Sequence, residues 1–187
     1  MSTRCFGVCL VSLLVLASGA AVAGEEHMHA MAKMTDAQVI ESATKAAPAA
    51  VGKDSTVIAV NEDGTIRTVR KGTNNFTCMA DNPQTPGPDP MCGDANAMTW
   101  VNAWLAHQTP AGKPGFMYML EGGTDASNTD PYATQPTAEN HWIKTGPHIM
   151  IVGGDTTGYP RTPDPNTSKP YVMWPGTPYE HLMIPVK

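Results

Sequence analysis

Two hexapeptides near the end of the chain share one pattern: Pro147-His148-Ile149-Met150-Ile151-Val152 and Glu180-His181-Leu182-Met183-Ile184-Pro185. Each reads His, aliphatic, Met, aliphatic. Side chains two apart in a strand point to the same face. The pattern therefore predicts two short strands, each with a His and a Met on one face and aliphatics on the other. Side by side, they would gather two imidazoles and two thioethers. Imidazole suits copper and thioether selects its reduced form, so His148, Met150, His181 and Met183 are candidate copper ligands. An ordinary core predicts the same pattern, because Met fills irregular interiors without demanding geometry. One shared ion requires the two imidazoles within about 4 Å of each other.

The remaining segments extend this picture. Thr35, with Gln38 three residues on, reads as a capping box that opens a helix ended by Pro48. Residues 56–60 and 65–69 read as a hairpin around Asn61-Glu62-Asp63-Gly64, and 75–79 as a third strand. Asp94 caps a second helix in which Ala97, Val101, Trp104 and Leu105 recur at helical spacing. Short strands follow at 116–120, 148–152, 171–174 and 181–184. No strand–helix–strand alternation recurs. The expectation is one α+β domain over residues 35–187: a mainly antiparallel sheet, two helices on one face, and long Pro/Gly loops. The loops at 121–140 and 153–180 are long enough to carry recognition.

The start of the chain reads as a secretory leader. Arg4 precedes an apolar run from Val8 to Ala17, and Ala21-Val22-Ala23 forms a small-residue cleavage site, so residues 1–23 are expected to be removed. The run is short for a membrane span, which needs about 20 apolar residues. Without Arg4, 11 basic residues face 17 acidic ones, a net charge of −6. No basic stripe survives, which argues against nucleic acid and against an anionic membrane surface. A periplasmic or secreted location follows, with a metal ion or small ligand as the expected partner.

In an oxidising compartment two lone cysteines usually bond, so Cys78 and Cys92 are expected to form a disulfide. The bridge would close a loop stiffened by Pro83, Pro86, Pro88 and Pro90. Residues 24–34 read as a mobile tail rich in Met and His, in which His27 and His29 are further candidate ligands for copper. Asp125, Asn128 and Asp130 offer oxygens of the kind calcium takes, but their spacing departs from the EF-hand loop and turn chemistry explains them. No nucleophile elbow, phosphate loop or zinc-protease motif is present. A hydrolase-like reading would use His141 or His148 as base and needs a carboxylate or hydroxyl beside it in a cleft. The aromatics of 171–179 can line a small-ligand pocket or pack a loop onto the sheet.

Several segments together carry a resemblance: Pro88-Asp89-Pro90-Met91-Cys92, Tyr118-Met119-Leu120-Glu121-Gly122-Gly123, Ser127-Asn128-Thr129-Asp130-Pro131, Pro147 to Val152, and Pro170-Tyr171-Val172-Met173-Trp174 with Gly176-Thr177-Pro178-Tyr179. In these the chain resembles an uncharacterised family of small exported bacterial proteins. The likeness runs from about Ala43 onward. It implies an exported bacterial domain and brings no activity, substrate or cofactor with it.

Overall fold

The structure, a computed structural model, describes residues 34–186 apart from Glu62, Pro83, Gln84 and Pro86. The expected leader and the tail residues His27 and His29 lie outside the described residues. Thr35 caps helix α1 (Asp36–Lys45) through the expected box: its side chain accepts from the Gln38 N–H, and the Gln38 side chain accepts from the Thr35 N–H at 2.9 Å. Val39 and Ala43 form the buried face of α1. A single turn, α2 (Ala49–Gly52), follows Pro48.

Strands β1 (Thr56–Val60) and β2 (Ile66–Arg70) make the antiparallel hairpin. β3 (Phe76–Met79) returns beside β1, in parallel, because the short link 71–75 brings the chain back to the end at which β1 began. β4 (Met91–Asp94) pairs antiparallel with β3 and runs straight into helix α3 (Ala95–Leu105). β5 (Gly115–Met119), β8 (His148–Val152), β10 (His181–Pro185) and β9 (Tyr171–Met173) complete one eight-stranded sheet, ordered β2-β1-β3-β4-β5-β8-β10-β9. A small second ladder joins β6 (Ala126–Ser127) to β7 (Trp142–Ile143). The α+β class with a mainly antiparallel sheet is as the sequence predicts.

The sequence predicts both helices on one face; instead α1 and α3 flank opposite faces of the sheet. Cys92 pairs with Tyr118 and Gly93 with Met117, so these neighbours point to opposite sides of the sheet. One core, around Val39, Ala43, Val57, Cys78 and Cys92, lies under α1. The other, around Ala97, Trp100, Met117, Met150 and Met183, lies under α3. The reason is local. Asp94 ends β4 and caps α3 at once, accepting from the Ala97 N–H at 2.8 Å, so no loop exists to carry α3 to the α1 side. Gly115 allows the close approach: a Cβ there would fall 2.2 Å from the Ala97 nitrogen.

Cys78 and Cys92 face each other across β3 and β4, with Cα atoms 3.9 Å apart, and are bonded. The bridge closes the loop between these strands, which carries Thr85 and Asp89 over the α3 side of the sheet. Among the described residues, no helix is long and apolar enough to cross a membrane.

Candidate functional site

On the α3 side, the register aligns side chains in rows across the sheet. One row is Gly115, Val152, His181 and Met173; the next is Met117, Met150, Met183 and Tyr171; the third is Met119, His148 and Pro185. The two His-x-Met strands, β8 and β10, are thus neighbours with matching faces. Met150 and Met183 stand directly opposite each other. The two imidazoles do not. His148 faces Pro185 and His181 faces Val152, four residues apart along the ladder, or about 14 Å at strand rise.

Each imidazole instead sits between two thioethers. His148 has Met119 opposite it on β5 and Met150 two residues along its own strand. His181 has Met173 opposite it on β9 and Met183 two residues along. Directly opposed side chains stand about 5 Å apart at Cβ, and those two along a strand somewhat farther.

Both rings are held by the same device. The His148 Nδ1 lies 2.6 Å from the Gly146 carbonyl, and the His181 Nδ1 lies 2.9 Å from the Tyr179 carbonyl, in each case two residues back. A carbonyl only accepts, so Nδ1 carries the proton and Nε2 keeps its lone pair. Among the described residues neither Nε2 takes a hydrogen bond. Burial favours the neutral ring: it lowers the pKa of His148, and that of His181 to about 4. Both therefore offer a free nitrogen donor at neutral pH. A backbone carbonyl on the other ring nitrogen is also how metal-binding histidines are usually oriented.

This face floors a cavity of about 330 Å³. Six methionines line it, Met91, Met117, Met119, Met150, Met173 and Met183, together with His148 and His181. Trp100 and Trp104 from α3 and Trp174 beyond β9 form a wall. Trp174 is held in a left-handed backbone conformation at φ 54°, which a bulky residue rarely adopts. Its N–H donates to the Asn128 carbonyl and its indole N–H to the Ser127 carbonyl, each at 2.9 Å. Strain of this kind costs on the order of 1–3 kcal/mol and persists where the surroundings enforce it.

Among the described residues, the acidic side chains lining the cavity are Asp89, Asp125 and Asp130, and no Lys or Arg does so. Asp89 is pushed up to about 7, first by burial and then by the Asp81 carboxyl group beside it, against the Asn82 N–H that stabilises its charge. The surroundings thus favour a cation or a neutral molecule over an anion.

The other sequence candidates form no cluster of their own, although Asp125 and Asp130 border the cavity. His141 has a carboxylate, with Nδ1 3.0 Å from Asp164 Oδ1, but the pair is on the surface and does not line the cavity. Asp130 and Asn128 serve their own loop: Asp130 accepts from the Tyr132 N–H, and the Asn128 amide donates to the Thr162 and Pro163 carbonyls. Asp125 lies 3.4 Å from the Thr145 N–H. No group of three or more His, Cys, Asp or Glu gathers among the described residues. What gathers is thioether, around two separated imidazoles.

No family model, curated protein or solved structure matches this chain.

Met91 and Asp89 lay hidden from sequence reasoning because β4 looked like the end of a proline-rich loop. Trp100 and Trp104 were legible as a buried helical stripe, but not as a cavity wall.

Proposed function

We propose that the protein binds monovalent copper in this cavity. The observation that supports the reading best is the placing of each neutral imidazole, its Nδ1 tied back, between two methionines. One nitrogen and two soft sulfurs suit Cu(I) and poorly suit calcium or magnesium. The carboxylates near the cavity add attraction for a cation. His27 and His29, with the methionines around them, would serve as a weaker chelating tail. We further propose that the chain is an exported bacterial protein, cleaved after about Ala23 and working in the periplasm or outside the cell. The disulfide supports that placement, because such bonds persist in oxidising compartments.

The test is an anaerobic Cu(I) titration against a competing chromophoric chelator. The comparison is a variant with His148→Gln, His181→Gln, Met150→Leu and Met183→Leu, both proteins carrying His27→Gln and His29→Gln. The reading expects the parent to hold Cu(I) at least about a hundredfold more tightly, since loss of ligands and their supports is costly. Equal affinities would overturn it.

A second reading rests on the cavity itself. A volume of 330 Å³ far exceeds that of an ion and falls in the range of small-molecule pockets, and four tryptophans, Trp142 among them, line it. On this reading the methionines pack the floor and an apolar or cationic organic molecule fills the space. Nile red, an uncharged dye, discriminates. Saturable binding that Cu(I) does not displace, with no copper retained, favours the organic ligand.

A further inference from the structure

The two His–Met–Met clusters differ in what surrounds them, and the difference bears on the order in which they fill. We infer that the cluster of His181, Met173 and Met183 is the retaining seat for Cu(I), and that the cluster of His148, Met119 and Met150 is the entry seat. This rests on the copper reading of the cavity.

The aromatic wall serves only one of them. The His181 ring lies 5.3 Å from Trp100 and 5.0 Å from Trp174, edge-on to both at 71° and 77°. The two indoles are nearly parallel to each other, 6° apart in plane with centroids separated by 6.2 Å. The His181 imidazole centroid itself lies within the roughly 6 Å over which an indole face attracts positive charge. The hydrogen bonds and left-handed backbone that fix Trp174 hold one of these rings in place. Among the described residues His148 makes no ring contact. Its neighbours are Gly123, where an added Cβ would lie 3.4 Å from the imidazole Cε1, and the Thr145 side chain beyond it.

Both rings are buried, but of the two only His148 borders a second, small pocket of about 10 Å³, together with Thr145, Gly146 and Met183. Between the seats lies the thioether row Met117, Met150 and Met183. Met150 adjoins His148 and Met183 adjoins His181, and the two methionines face each other. An ion can therefore pass from one imidazole to the other by exchanging one ligand at a time. The copper stays monovalent throughout, so no electron is gained or lost.

Tryptophan fluorescence separates the seats, because among the described residues only the His181 ring contacts indoles, Trp100 and Trp174. Anaerobic titration of the protein with the Cu(I)–acetonitrile complex, in the His27→Gln/His29→Gln background with Met28→Leu and Met31→Leu, should quench tryptophan emission with the first equivalent and change it little with the second. His181→Gln should abolish the quench while one equivalent still binds. His148→Gln should keep the quench but slow its onset in stopped flow by about tenfold or more. Trp174→Leu should weaken the first equivalent about tenfold at unchanged stoichiometry. Should a His variant fail to fold, Met173→Leu and Met119→Leu conserve volume and remove one sulfur from each seat. A quench lost in His148→Gln and retained in His181→Gln would overturn the assignment. So would two bound equivalents that leave emission unchanged. Absence of any Cu(I) binding would instead overturn the copper reading itself.

Discussion

His148 and His181 stand at opposite ends of the ladder between β8 and β10, the first facing Pro185 and the second Val152. In place of the shared-ion arrangement that the repeated pattern suggests, the register leaves two separate imidazoles, each flanked by two methionines. What the strands do bring face to face is Met150 and Met183.

Copper loading should resist acid. Burial holds the His181 pKa at about 4 and lowers that of His148, so protons compete weakly for either nitrogen at mildly acidic pH. Affinity for Cu(I) at pH 5.5 should stay within about threefold of that at pH 7.5, then fall steeply near pH 4. A histidine of ordinary pKa would begin to lose affinity near pH 6.5. Chelator competition at fixed ionic strength across this range checks it.

Stability without metal should have the opposite sensitivity. The unfolded His181 takes a proton near pH 6.5, the folded one only near 4. A depressed folded pKa means stability is fully present above 6.5 and is lost as pH falls toward 4. The loss from this group is about 3 kcal/mol, since each unit corresponds to about 1.4 kcal/mol. Urea unfolding at pH 7.5 and 4.5 should show a smaller difference in His181→Gln than in the parent. His148 acts in the same direction and leaves a residual slope.

Asp89 should behave in reverse. Its folded pKa is raised to about 7 by burial and the neighbouring Asp81, so the native state favours its protonated form. Its contribution is fully present below about pH 4 and is lost as pH rises through 7. Asp89→Asn keeps an oxygen for the Asn82 N–H and removes the titration. It should stabilise the fold at pH 8 by on the order of 1–3 kcal/mol and change little at pH 3.5. Thermal unfolding at the two pH values tests the sign.

The disulfide should matter for the fold as a whole. Cys78 and Cys92 are 14 residues apart in sequence, and a loop of that size is valued at about 3 kcal/mol in the chain-entropy account. The Cys78→Ser/Cys92→Ser variant should lose about that much in urea unfolding. The parent under reductant should show the same loss.

The local signals in the sequence were strong where one residue decides. The Thr35–Gln38 box, the Asp94 cap and the strands expected at 148–152 and 181–184 form as their spacing predicts, although Leu182 is buried as well as His181 and Met183, so the last strand is covered on both faces there. What did not show was strand order. Nothing within Phe116 to Leu120 says that Met117 will face Met150, because that pairing depends on which strand β5 lies beside. The proline-rich run before Cys92 likewise hid β4, whose pairing partners lie on β3 and β5. The cavity needed both, together with a Trp174 held against its backbone preference, which no propensity foretells.

The central claim concerns the atoms around the metal, and X-ray absorption at the copper edge reads them directly. The protein in the tail-substituted background, loaded anaerobically with Cu(I) and freed of weakly bound ion, should show a monovalent edge. Its nearest scatterers should be sulfur and nitrogen in a ratio of about two to one, as one imidazole and two thioethers require. A first shell of nitrogen and oxygen alone, or copper that does not stay with the protein, would contradict the account.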